Sequence, residues 1–329
     1  MPLQMIRNDI SRMSVDAIVN TANPKVRIGA GTDKAIYERA GKDKLLAARE
    51  KIGILQPGEV AYTEAFDLDA KYIFHAVSLV WQGGNNGEAE IVRSCYEKSL
   101  QLAKELSCQS IAFPLIATGS YGFPKEEALQ IAVDSIREFL KNEEMLVYLV
   151  VFDDESFELS GKLFSEIDEY IDAHYVDECI LAEYKEPYLI AGATCEMPML
   201  RAKKLKRRNL DDVVAQLEEN FQERLFRLID ERGLSDVEVY KKANLDRKLF
   251  SKIRCNPDYR PKKKTALALA IALELNLDDT KDLLARAELA LSHGSKSDLI
   301  VEYFIQQRVY DIYTINAALF EYKQPTLGD

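Results

Sequence analysis

The chain has 329 residues, 47% of them hydrophobic and 29% charged, with a formal net charge of -11. That length predicts two domains, and that composition gives each enough apolar material to fold, which excludes wholesale disorder. The longest apolar run, 145–152, is far short of the ~20 residues of a membrane helix, and the amino-terminal stretch has no basic segment followed by an apolar one, so the expected setting is the cytoplasm, with no membrane partner.

Charge divides the chain unevenly. Residues 1–200 carry 19 Lys+Arg against 33 Asp+Glu, whereas residues 201–329 carry 24 against 21, so the halves are expected to meet different partners. The five cysteines (95, 108, 179, 195 and 255) show no paired spacing and read as thiols in a reducing compartment.

In chain order, the first half alternates two patterns. Short, β-branched, nearly continuous apolar runs at 15–19, 70–77, 110–116 and 145–152 predict strands buried on both faces. Stretches 33–49, 88–106 and 125–140 repeat apolar residues at helical spacing. Alternating strands and helices predict a sheet covered by helices on both faces.

Two strand-to-helix loops carry the chemistry. After the strand at 15–19, Asn20 and Asn23 precede a loop containing Gly29 and Gly31, and Asp33 opens the next helix. After the strand at 110–116 comes Ala117-Thr118-Gly119-Ser120-Tyr121-Gly122-Phe123-Pro124. Loops at the carboxyl ends of strands are where open α/β sheets bind ligands. Glycine and small residues let amide hydrogens approach a diphosphate, and a helix amino terminus aims positive charge at it. Single residues also have structural readings: Asn20 can tie off a strand end, Asp33 can cap its helix, and Phe152 can belong to the core. His75, in an apolar strand, reads as a core histidine.

These loops resemble those of the macro domain family. Its first motif, two asparagines three apart followed by a glycine run and an aspartate, is matched from Asn20 to Asp33, and its second from Pro114 to Pro124. The likeness covers about residues 1–175 and includes the entry Asn8-Asp9-Ile10. It implies a three-layer α/β/α sandwich that binds ADP-ribose. Asp9 would accept from the adenine amino group, Ile10 would line that end, and Phe152, with Phe157 as a rival, would stack on the base. Amides of Ser120 to Gly122 would cradle the diphosphate. Gly31 and Asn23 would meet the distal ribose, with Phe123 alongside, and Asp33 would orient or activate a water. Zinc-using relatives carry Cys or His in the first loop. None lies between Asn20 and Ile36, so neither a metal nor another cofactor is expected. The sequence departs from the family in the thinned run Ile28-Gly29-Ala30-Gly31 and in Ser78-Leu79, where Gly-Pro is usual.

Interruptions at Pro187, Gly192 and Pro198 and a basic run from Arg201 to Arg208 mark a linker, which divides the chain into 1–176, 177–208 and 209–329. The last part reads as helices only: 210–232, 235–242, 246–254, 262–275, 278–291, 298–307 and 311–322. Ser235 with Glu238 has capping-box spacing, and Gly233 stops the preceding helix. Arg247, Lys248, Ser251 and Lys252 fall on one exposed side of the helix after the turn at 243–245, and residues 235–265 hold ten Lys+Arg against four Asp+Glu. This layout resembles the lambda-repressor-type helix-turn-helix family, which implies DNA contacts through those four residues.

The combined expectation is an ADP-ribose-binding protein that removes mono-ADP-ribose from a modified target through Asn23 and Asp33. Its helical module would be directed to DNA, to a partner or to a second copy of the chain. The alternative is a non-catalytic sensor in which an ADP-ribose-like nucleotide controls the helical module.

Overall fold

The computed structural model describes residues 2–152, 161–175 and 219–328. Phe157, the linker expected at 177–208 with its basic run, and the first turns of the helix expected at 210–232 lie outside the described residues.

Six strands form one mixed sheet: β1 (Leu3–Arg7), β2 (Ala17–Thr21), β3 (Val60–Glu64), β4 (Tyr72–Ala76), β5 (Ser110–Pro114) and β6 (Leu146–Val151), in the order β1-β6-β5-β2-β4-β3. All neighbours are parallel except β3, which runs antiparallel to β4. The four strands expected from apolar runs are the four central ones. The two that were not anticipated, β1 and β3, are the edges, where one flank has no strand partner among the described residues and polar residues interrupt the apolar pattern.

Side-chain parity sorts the strands onto two helical layers. Ile18, Ile73, Ala112 and Val150 pack with α1 (Thr32–Ala40) and α2 (Lys42–Ile52). Val19, Phe74, Phe113 and Leu149 face α3 (Glu88–Glu105), α4 (Lys125–Asn142) and α5 (Gly161–His174). The single helix expected over 33–49 is two. Gly41 between them has φ 92° and ψ 91°, a conformation that ends one helix and turns the chain into the next.

The regular elements among the described residues of the second half are all helices: α6 (Phe221–Glu231), α7 (Asp236–Lys242), α8 (Arg247–Cys255), α9 (Lys263–Ala272), α10 (Leu277–Ala285), α11 (Lys296–Gln306) and α12 (Ile312–Glu321). The Ser235–Glu238 capping box forms in both directions and starts α7. The two halves share one apolar cluster that runs from the α3–α5 layer into these helices. The helices α11 and α12 lie against α5 and β1.

Edge strand β1 is closed by this second half. Asn244, in the turn between α7 and α8, has φ 53°. Its side-chain amide donates to the Leu3 carbonyl at 2.8 Å, and its oxygen accepts from the Leu3 amide at 2.9 Å, as a neighbouring strand would. At the other end of the strand the Arg7 guanidinium lies 4.0 Å from the centre of the Phe320 ring of α12.

Candidate functional site

A cleft of about 760 Å³ opens at the carboxyl ends of β1, β2, β5 and β6. That is the crevice such sheets reserve for ligands, and its volume is within the ~300–1,000 Å³ usual for small-molecule sites.

One end is built by the extension of β1. The Asn8 amide donates to the Val151 carbonyl at 3.1 Å, which prolongs the pairing of β1 with β6 and brings Asp9 and Ile10 to the cleft wall. Asp9 caps a single 3₁₀ turn, Ile10–Arg12: its Oδ1 accepts from the Ser11 amide at 2.9 Å and the Ser11 hydroxyl at 2.7 Å. Its second oxygen is 3.6 Å from Arg12 Nε. Phe152, directly after β6, lines the same end and is 74% exposed, so its ring is available to a planar ligand and is not a core side chain.

The first loop contributes Asn23, Gly29 and Gly31 to the wall. Asn23 Oδ1 accepts from the Lys25 amide at 3.1 Å in a local turn, which leaves its Nδ2 hydrogens for the cleft. Gly31 precedes α1 with φ 57°, a backbone state that only glycine holds cheaply. The Asp33 carboxylate reaches back beneath the loop: Oδ2 accepts from the Gly29 amide at 2.5 Å and Oδ1 from Asn20 Nδ2 at 2.6 Å. Burial holds this carboxyl above the usual aspartate range, against the opposing pull of the Asn20 and Gly29 hydrogen bonds and the charge of Arg49. Asp33 is 2% exposed yet borders the cleft, the setting that tunes a carboxylate for proton transfer.

The second loop presents Ala117 to Tyr121 along the wall. Its shape is fixed from within, by Gly122 N to Gly119 O at 3.0 Å, Phe123 N to Ala117 O at 3.1 Å and Thr118 Oγ1 to Leu115 O at 3.0 Å. Ala117 and Gly122, at the two ends of this turn, both have φ 68°.

Three expected ligand contacts do not line the cleft. Asn20 is fully buried below it, tied to Asp33 and His75. Phe123 is 2% exposed and packs edge-on against Trp81, ring centres 4.8 Å apart, because the turn that exposes residues 117–121 folds it inward. Gly122 shapes that turn from behind. The wall also contains residues that sequence reasoning passed over: Arg27 and Ile28 of the first loop, and Val80 after β4. Arg27 is one of two cations, with Lys25, in the first loop, a signal that was visible. Arg49 gave none, since a charged residue in a helical pattern is ordinarily exposed. It is 2% exposed and its guanidinium donates to the carbonyls of Gly53 and, at 3.5 Å, Asn23. Among the described residues no cluster of three His, Cys, Asp or Glu side chains is arranged to hold a metal ion.

In the second half, Arg247, Lys248, Ser251 and Lys252 are all exposed along α8, while Phe250 and Ile253 turn inward. Other cations of that region are committed within the chain: Arg254 to Asp236 at 2.5 Å, Arg260 to Glu288 at 2.8 Å, and Lys263 to the buried Asp298. The turn before α8 rests on Leu3, at the amino end of β1, so the basic face and the cleft lie toward opposite ends of the sheet.

The profile of the Macro domain family matches residues 19–132. A macro domain-containing protein of Methanosarcina mazei is 44% identical over 167 residues, 50% of this chain and 89% of that protein. An O-acetyl-ADP-ribose deacetylase of Cronobacter turicensis is 39% identical over 172 residues, 51% of this chain and 98% of that protein. One of an Enterobacter species is 42% identical over 166 residues, 49% of this chain and 92% of that protein. No described helix is long and apolar enough to cross a membrane.

Proposed function

Since the chain belongs to the macro domain family, we propose that its cleft binds ADP-ribose and that Asp33 and Asn23 hydrolyse an ADP-ribose linkage on a modified target. The observation that carries this reading is the placement of Asp33: buried, raised above the usual carboxylate range, and at the wall of a cleft that Asn23 also lines. Relatives named O-acetyl-ADP-ribose deacetylase support hydrolysis of this type. In the reaction, Asn23 orients a water below the distal ribose. The water oxygen attacks the anomeric carbon, its proton passes to the Asp33 carboxylate, and the bond to the acceptor breaks with the electron pair leaving on the acceptor, which is then protonated. For an ester-linked group the same base and water act at the acyl carbon.

Calorimetric titration with ADP-ribose, followed by release assays on mono-ADP-ribosylated protein and O-acetyl-ADP-ribose, tests the reading. Asp33→Asn is expected to lower kcat by about 10²–10⁴-fold, the usual contribution of a positioned general base, with ADP-ribose still bound. Activity should require the ionised carboxylate, so the acid limb of kcat should lie above 3.8, the ordinary aspartate value. No heat of binding, or full activity in Asp33→Asn, overturns the assignment.

In this reading the α7–turn–α8 unit is a helix-turn-helix module that meets DNA phosphates through Arg247, Lys248, Ser251 and Lys252. One observation favours a second, non-catalytic role in which nucleotide occupancy governs that module. Strand β1 leads into the cleft wall at Asn8 to Ile10 and is gripped by Asn244 at Leu3. Equal DNA affinity with and without saturating ADP-ribose would remove the basis for this second role.

A further inference from the structure

Beneath the first loop lies a buried polar chain that the reaction scheme leaves unused. Asn20 and His75 are fully buried and Thr63 is 6% exposed. Asn20 Nδ2 is 2.6 Å from Asp33 Oδ1 and 3.4 Å from His75 Nδ1, and His75 Nε2 is 3.1 Å from Thr63 Oγ1. These contacts follow from the sheet: Asn20 of β2 is in register with His75 of β4, and Thr63 of β3 is near His75 across the antiparallel pair.

An asparagine amide can sit in two orientations related by a flip of nitrogen and oxygen. The Asn20 oxygen, on the other side, is buried without a hydrogen-bond partner among the described residues, so none of them holds the amide from that side. Asp33 by itself accepts either orientation: ionised, it needs a donor, but protonated, it can donate to a flipped oxygen. A second acceptor breaks the tie. With its proton on Nε2, directed at the Thr63 hydroxyl, His75 offers Nδ1 as that acceptor.

We propose that His75 is a positioning residue for Asp33, its bare Nδ1 holding the Asn20 amide with nitrogen toward the carboxylate and so favouring the ionised, proton-accepting form. This rests on the reading of Asp33 as the general base. The imidazole is suited to the task because burial, assisted by the charge of Arg49, pushes its pKa down to about 3, so it stays neutral and its acceptor stays bare. The other groups facing Asp33 cannot substitute. Arg49 of α2 acts on it through charge alone; Tyr37 of α1, pushed up to about 12 by burial, is neutral; and Tyr121 of the second loop, beside Arg27, is likewise raised.

The test uses the full chain with His75→Leu, His75→Asn and Thr63→Val. The Asp33 carboxyl is followed by carbon NMR with carboxyl-labelled aspartate, its resonance assigned by Asp33→Asn, alongside pH profiles of ADP-ribose release. His75→Leu is expected to move the Asp33 titration and the acid limb of kcat upward by about one pH unit, the scale of losing one hydrogen bond to a charged group, with ADP-ribose affinity within about twofold. His75→Asn, whose side-chain oxygen can accept from Asn20, should restore most of the shift, which a purely structural role would not predict. Thr63→Val, which frees the histidine tautomer, should shift the titration the same way and carries the test if His75→Leu does not fold. An unmoved Asp33 titration in a folded variant, or equal shifts in His75→Leu and His75→Asn, overturns the proposal. Full activity in Asp33→Asn together with a shifted titration would instead sink the catalytic reading and leave the positioning role standing.

Discussion

The two ends of the sheet carry surfaces of different construction. At the carboxyl ends the cleft is walled in good part by two turns in which glycine, alanine and other small residues recur, with Gly31 and Ala117 at positive φ. At the amino ends the basic face of α8 is made of long side chains on a regular helix. A backbone site constrains residue types tightly, because any Cβ in the wrong place fills it. A side-chain surface constrains only charge, which many unrelated helices share. The first kind therefore specifies its ligand in its motif, and the second specifies only a class of partner.

The largest effect that would test this contrast lies at the junction of the two regions. Asn244→Ala removes two buried hydrogen bonds to Leu3 and places alanine at φ 53°, and should destabilise the whole chain by about 3 kcal/mol in denaturant unfolding. Asn244→Gly keeps the turn conformation and loses the bonds, so its smaller loss separates backbone strain from the clamp. Two independent unfolding transitions in the parent chain would show that the halves are not joined as described. Next, Phe152→Ala should weaken ADP-ribose binding by roughly 10-fold, since base stacking on an aromatic is worth about 1–3 kcal/mol, while leaving kcat nearly unchanged; an unaltered dissociation constant would remove Phe152 from the site. The smallest change expected is in Arg247→Ala/Lys252→Ala. If α8 meets DNA phosphates, the slope of log affinity against log salt should fall by about two, one for each lost contact, with little dependence on DNA sequence. A slope that does not change would assign the face to solvent.

Legibility followed the same division. The four central strands were readable because burial on both faces leaves apolar residues in unbroken runs, as in Ile111 to Phe113. Edge strands were not: in β3 only Thr63 is buried, and in β1 Gln4 and Arg7 disrupt the run. The break at Gly41 was hidden because the helical spacing of apolar residues continues across it. Both glycine loops could be placed at the cleft from their motifs, yet the residues that turn inward, Phe123 above all, could not be told from those that face out. The contacts of His75 with Asn20 and Thr63 depend on strand register, and those of Asn244 with Leu3 on a separation of 241 residues. Local periodicity carries neither.

The grip of Asn244 on Leu3 also orders events during synthesis. A ribosome delivers Leu3 long before Asn244 and Phe320, so the outer flank of the first strand waits, bare and ready to pair with whatever extended backbone comes near, until most of the chain has emerged. Nascent chains stalled before residue 244 should therefore be the species most in need of a chaperone, and the helical half, whatever else it binds, serves the first half as its own edge guard.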